Sequence, residues 1–172
     1  MNCQSIRRLT PSDIPAVWRI NEQGLPGVGK VSPEAMMNLL TLSELPLGAW
    51  DGECLVGFVL CLTPGTPYGS PNYAWFGARY PHFLYVDRIA VAETHRNRGI
   101  GTELYRHVIR EADRRQWPVA AEVSARPLNA GSMRFHARHR FDAVGTLEHP
   151  HQAVTMFLRP IPENAARLAQ QS

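Results

Sequence analysis

Between an apolar run and an amphipathic run lies Thr94-His95-Arg96-Asn97-Arg98-Gly99-Ile100-Gly101, with two arginines and two glycines within six residues. Helix spacing begins directly after it: Ile100, Leu104, Tyr105, Val108, Ile109 and Ala112 recur at 3.6-residue intervals, with Arg106, Arg110, Asp113 and Arg114 facing elsewhere. The first turn of a helix has amide donors without internal partners at the positive end of its dipole. Glycines there let a large anion reach the backbone, because no Cβ stands in the way. Thr102 adds a hydroxyl, and Arg96 or Arg98 a charge-assisted contact. The chemistry expected is the grip of a pyrophosphate. A P-loop needs Lys-Ser/Thr after its second glycine, and Thr102-Glu103 follows Gly101 instead. A dinucleotide fingerprint needs a third glycine, where the chain has Leu104.

The elements that carry this turn are readable from pattern. A short strand covers Ser5 to Leu9, and Thr10-Pro11-Ser12-Asp13 starts a helix reaching about Asn21. Ser32-Pro33-Glu34 repeats the start signal for a second helix, carrying Ala35, Met36, Leu39 and Leu40. Strands over 47–50 and 54–62 join around Asp51-Gly52, a hairpin dipeptide. Residues 64–82, rich in Pro and aromatic residues, read as a loop. Then come a strand (83–92), a helix (99–116), a strand (118–124), a helix (130–139) and two closing strands (141–147 and 153–158). This order predicts an α/β or α+β sheet layered with helices, with its site at the carboxyl ends of central strands. Residues 1–162 form one domain in this reading, and 163–172 a polar, frayed tail.

Composition excludes several classes. Of 172 residues, 44% are hydrophobic and 19% charged, an ordinary globular mixture. No apolar window is long enough to span a membrane. Arg7, Arg8, Asp13 and Pro15 interrupt the first twenty residues, so no secretory signal is expected. Cys3, Cys54 and Cys61 are odd in number and lack metal-ligand spacing, which fits a reducing cytoplasm. His136 and His139 are helically spaced, but no further ligands complete a set, so no metal is expected. Lys30 is the only lysine, so arginine supplies seventeen of the eighteen Lys and Arg residues. The cations form no basic run and mix with Asp and Glu, which argues against a nucleic-acid module.

Arg96-x-x-Gly99-x-Gly101, following the strand Tyr85-Val86-Asp87-Arg88-Ile89-Ala90-Val91, resembles motif A of the GNAT superfamily of acyl-CoA N-acyltransferases. A second block, Asn129-x-x-Ser132-x-x-Phe135-His136-x-x-x-Arg140-Phe141, resembles that superfamily's N-x-x-S-x-x-F-Y-x-x-x-G-F pattern. The resemblance covers about residues 4–159 and is nearest a bacterial branch of acetyltransferases. It implies a mixed, mostly antiparallel sheet of about seven strands flanked by four helices, with central strands splayed. It implies acetyl-CoA as co-substrate, its diphosphate on the amides of Arg98, Gly99, Ile100, Gly101 and Thr102. Ile89, Ala90 and Val91 would pair with the pantetheine arm, and Asn129, Ser132 and Phe135 would lie beside the cofactor. His136 stands where relatives carry a tyrosine that protonates the departing thiolate, so it is the candidate acid. Arg140 replaces the usual glycine before Phe141.

For acetyl transfer to an amine, the candidate bases are Asp87 and Glu122. Period-2 spacing predicts that Tyr85, Asp87, Ile89 and Val91 share a strand face. Tyr68, Tyr73, Trp75 and Tyr85 are the candidate acceptor-binding residues, forming an aromatic wall or lid; the alternative is that these rings fill core or a contact between two copies. A small-molecule amine is the acceptor expected. A protein N-terminus or lysine, or a non-catalytic acyl-CoA-binding module, are the alternatives.

Overall fold

Asp51 pairs with Cys54 across a two-residue turn, Gly52-Glu53, in which Gly52 takes a positive φ of 61°. The hairpin thus sits one residue later than the Asp51-Gly52 signal suggests, with glycine at the position that needs it. It joins β2 (Leu45–Asp51) to β3 (Cys54–Leu62), and β1 (Ser5–Arg8) pairs antiparallel along β2. The computed structural model describes residues 5–162; the expected tail over 163–172 and Cys3 lie outside them. β4 (Leu84–Val91), β5 (Val119–Arg126), β6 (Asp142–His149) and β7 (Gln152–Arg159) complete a seven-stranded sheet of order β1-β2-β3-β4-β5-β7-β6. Every pairing is antiparallel except β4 with β5.

Five α-helices, one more than expected, accompany the sheet among the described residues. α1 (Ile14–Gln23) follows a single 3-10 turn, where the Asp13 carboxylate accepts the Thr10 amide. α2 (Pro33–Leu42) starts on Ser32, whose Oγ accepts the Ala35 amide. α3 (Pro71–Gly77) lies inside the segment read as a loop. Its start repeats the one at α2: Ser70 Oγ accepts the Tyr73 amide, and Pro71 takes the first position. The Ser-Pro signal that located α2 was therefore present here too, masked by the surrounding prolines. α4 (Ile100–Arg115) and α5 (Ala130–Arg138) follow the turn and the second block.

Two layers cover the sheet. α4 lays Ile100, Leu104, Tyr105, Val108 and Ala112 on Val56, Val59, Leu84 and Val86, and α5 adds Phe135 to the same cluster. Full burial of each large apolar side chain there contributes about 1.5–3 kcal/mol. The opposite face takes α1 and α2 against Phe58 and Leu60, and α3 against Leu62, Tyr85 and Met156. Trp75 of α3 rests on Gly145 of β6, where a Cβ would come within 2.5 Å of the indole, so only glycine fits beneath the ring.

Two irregularities in the middle of the sheet shape the site. Leu60 pairs with Arg88 but Cys61 with Val86, so Asp87 is the extra residue of a β-bulge in β4. The bulge reverses the alternation. Tyr85 packs with the α3 cluster, whereas Ile89 and Val91 pack with α4. Tyr85, Asp87, Ile89 and Val91 therefore do not share a face, because the inserted residue shifts the phase that strict period 2 assumes. Second, β4 and β5 pair only at Leu84↔Val119 and Tyr85↔Ala120. Beyond them the strands diverge, leaving the β5-facing edge of residues 87–91 free of a strand partner.

Candidate active site

The turn before α4 carries two left-handed residues, Asn97 at φ 60° and Gly99 at φ 80°. Glycine adopts that conformation without strain, and the space around a Cβ at Gly99 is open to 4 Å. No side chain caps α4, and the first turn closes only at the Glu103 amide, which donates to the Gly99 carbonyl. The amides of Ile100, Gly101 and Thr102 thus face the cavity without an intrahelical partner.

That cavity has a volume of about 480 Å3, within the range of small-molecule sites. Ile89, Ala90 and Val91 from β4 line it, as do Arg96, Gly99, Ile100, Gly101 and Thr102 from the turn. Asn129, Ser132, Phe135 and His136 line its α5 side. Of the expected cofactor residues, Arg98 alone is outside the lining, and it is exposed. Arg96 borders the cavity while tying elements together: Nη2 donates to the Gln23 carbonyl at 2.5 Å and Nε to the Val91 carbonyl at 3.3 Å. Asn129 also caps α5, its Oδ1 accepting the Ser132 amide.

One wall was not anticipated. The segment after α1, including Gly24, Leu25, Gly27 and Val28, closes the cavity from the β4 side. A Cβ on Gly27 would sit 3.3 Å from Asn129 Nδ2 and 3.1 Å from the Gly24 carbonyl, so this loop and the start of α5 approach closely. The cluster Gly24, Pro26, Gly27, Gly29 reads in sequence only as a helix break; its packing partner is more than a hundred residues away.

His136 lines the cavity but is only 3% exposed. Its Nδ1 lies 2.8 Å from the Ser132 carbonyl, which can only accept, so the ring proton sits on Nδ1. Nε2 then accepts from Tyr105 Oη at 2.7 Å. Burial pushes the imidazole pKa down, which keeps this neutral form. The ring stacks on Phe157 and meets Phe141 edge-on. With its one proton donated to Ser132 and its lone pair engaged, His136 has no proton to offer into the cavity. Tyr105→Phe would leave Nε2 a buried acceptor without a partner. A loss of roughly 1–3 kcal/mol of stability is expected in denaturant unfolding, with cofactor affinity little changed.

Neither candidate base lines this cavity; both lie near the point where β4 and β5 part. Asp87 is held by Arg88, Nε to Oδ2 at 2.8 Å, with the carboxylate side chain 4% exposed. Arg88 also donates to Asn21 Oδ1 and the Gly29 carbonyl, both at 3.1 Å, anchoring the loop after α1 to the bulge. Glu122 has no cationic partner among the described residues. Both its oxygens accept the Tyr85 hydroxyl at 2.8 Å, and Oε1 accepts Asn72 Nδ2 at 3.1 Å. Burial pushes its carboxyl up to about 7, and the Asp87 charge adds to the rise; the Tyr85 and Asn72 hydrogen bonds pull the other way.

The expected acceptor residues divide. Tyr73 is buried, its hydroxyl donating to the Thr63 carbonyl and accepting the Thr66 amide, and its ring packs on Phe83 and Tyr85. Trp75 is clamped between Gly145 and the Arg79 guanidinium, 3.9 Å from the ring centre. Tyr73 fills core, Trp75 packs half-buried against the same cluster, and neither lines the cavity. Tyr85 reaches Glu122, and Tyr68 lies beside Asp87, where burial and then that charge push its phenol pKa up. Among the described residues no group of three or more His, Cys, Asp or Glu could hold a metal, and no helix is long and apolar enough to cross a membrane.

The model of the acetyltransferase (GNAT) family matches residues 15–141. No curated protein sequence matches the chain. Among solved structures, Ard1 from Thermoplasma volcanium superposes with a TM-score of 0.76 at 18% identity, over 93% of this chain and 99% of that one. The ribosomal-protein-S18-alanine N-acetyltransferase from Escherichia coli gives 0.73 at 17% identity, over 94% and 97%. NAA60 from Arabidopsis thaliana in complex with acetyl-CoA gives 0.73 at 22% identity, over 92% and 99%.

Proposed function

Because this chain belongs to the GNAT acetyltransferase family and takes acetyl-CoA as its co-substrate, we propose that it is an N-acetyltransferase that acylates the amine of a small molecule directly, with Glu122 as general base. The observation that carries this reading is the placement of Glu122 where β4 and β5 part: a carboxylate with no cationic partner among the described residues, held by Tyr85 and Asn72 and pushed up to about 7 by burial. The amides of Ile100, Gly101 and Thr102 would hold the diphosphate, and the free edge of residues 89–91 the amide-bearing arm. Acetyl-CoA supplies the activated acetyl group. The amine nitrogen forms a bond to the acetyl carbon as the carbon–sulfur bond breaks and the thiolate departs, and the amine proton passes to Glu122.

A base with a pKa near 7 is ionised in useful proportion at neutral pH and still binds a proton well, which is where general-base catalysis works best. Asp87, held in place by Arg88, serves instead to fix the bulge, and its charge adds to the rise of Glu122. His136 orients Tyr105 and packs the end of α5. The small-acceptor reading draws support from α3, which bridges from Glu122 through Asn72 to the β6 end and sits on β6 through Trp75. It is tested by thiol release from acetyl-CoA across a panel of small amines and of peptides with free N-termini. Turnover with small amines is expected. Turnover confined to peptides would overturn the acceptor assignment, and no turnover with any amine would overturn the enzymatic one.

A further inference from the structure

We infer that Asn72 and His149 are positioning residues for the base: together they fix the direction in which the Glu122 carboxylate is held. The inference rests on the reading of Glu122 as base and deepens it. Asn72, on the first turn of α3, touches both groups. Its Nδ2 donates to Glu122 Oε1 at 3.1 Å, and its Oδ1 lies 2.9 Å from His149 Nε2 at the end of β6. An amide has one accepting and one donating end. An ionised carboxylate only accepts, so Nδ2 must face Glu122, which leaves Oδ1 toward the imidazole. His149 must then donate from Nε2, which both the neutral Nε2–H tautomer and the charged ring can do. While Glu122 is ionised, the form that acts as base, the three groups therefore admit a single orientation of the amide, with its N–H toward the base.

The consequence for the base is directional. A donor to the charged carboxylate favours ionisation and opposes the rise that burial produces. From β4, the Tyr85 hydroxyl donates to the same carboxylate and the Asp87 charge opposes it; α4 contributes Tyr105, and β7 sets the apolar Met156 opposite Glu122. Near His149, Glu148 of the same strand is paired with Arg126 of β5. His151 follows two residues on, in the turn to β7. Asn72 and His149 are both half-buried and outside the apolar core, so their removal leaves the packing of the sheet in place.

The test is the pH profile of kcat for thiol release at saturating acetyl-CoA and amine, on the full chain. Asn72→Ala is expected to move the acid limb up by roughly half a unit to one unit, by loss of one donor to the carboxylate. At pH 7 its kcat should fall several-fold while the KM for acetyl-CoA stays within about twofold. His149→Ala should move the limb in the same direction by less. His149→Gln should restore it, because an amide N–H can stand where Nε2–H stands. Profiles of Asn72→Ala and His149→Ala that superimpose on the parent, with Glu122→Gln inactive, would overturn this inference and leave the base assignment standing. So would a shift in His149→Ala that His149→Gln fails to reverse. Full turnover by Glu122→Gln would instead remove the base assignment itself.

Discussion

Glu122→Gln is expected to lower kcat by roughly 100- to 10,000-fold, the range that a positioned proton acceptor contributes, while leaving the affinity for coenzyme A unchanged in calorimetry. The substitution keeps the side-chain shape and an oxygen for the Tyr85 hydroxyl but removes the proton-accepting charge. It carries a second signature in stability. The carboxyl titrates near 4.5 in the unfolded chain and is pushed up to about 7 in the fold. Between these values the native state holds more proton than the unfolded one, so stability falls as pH rises from 4.5 to 7 and levels off above. Glutamine removes that slope. At pH 8 the variant is expected to be more stable than its parent, by up to about 3 kcal/mol for a shift of this size. A variant that is both slower and sturdier is what a base retained at the expense of stability predicts; equal unfolding curves at pH 8 would count against it.

Gly101→Val should weaken coenzyme A binding by roughly 100-fold or more without unfolding the protein. Gly101 is helical, and its Cβ would make only ordinary contact with the Phe135 ring at 3.6 Å. Alanine at this place is expected to favour the helix by about 1 kcal/mol, so added bulk acts on the ligand and not on the fold. Valine places methyl groups over the open amides of α4. Loss of two charge-assisted hydrogen bonds, each about 1.5–3 kcal/mol, weakens binding by roughly 100-fold or more. Gly99 behaves differently. At φ 80° any side chain costs about 1–2 kcal/mol in backbone strain, so Gly99→Ala should lower the melting temperature as well as the affinity. Calorimetry with coenzyme A beside thermal unfolding separates the two variants. Retained affinity in Gly101→Val would show that the α4 amides do not hold the diphosphate.

The residues of the turn and of α5 that line the cavity were legible because they are local. Asn97 to Thr102 are consecutive, and the apolar spacing of α4 follows at once, so one stretch of sequence contains both the turn and the helix it opens. The second block is local in the same way, with Asn129 capping the helix that carries Phe135 and His136. The surroundings of the two carboxylates are not local. The bulge at Asp87 is defined by pairing with Leu60 and Cys61, and it reverses which residues Tyr85 shares a face with. Spacing left Tyr73 and Trp75 open between a pocket wall and core; Thr63 and Phe83 fix Tyr73 as core, and Gly145 seats the half-buried Trp75 on β6. His136 carries the atoms of an acid; only the positions of Ser132 and Tyr105 reveal that its proton is already committed. Glu122 was visible as a carboxylate among apolar neighbours. Its link through Asn72 to His149 spans 50 and then 77 residues of sequence, beyond the reach of any spacing rule.

The claim on which the chemistry depends is that Glu122 holds its proton to near neutrality in the folded enzyme. Carbon-13 NMR of protein labelled at the glutamate side-chain carboxyls measures this directly, with the Glu122 signal identified by its loss in Glu122→Gln. The midpoint should lie near 7, well above those of the surface glutamates. A midpoint in the ordinary range near 4.5 would mean that the carboxylate between the parted strands is not tuned to accept an amine proton, and the assignment of the base would fall.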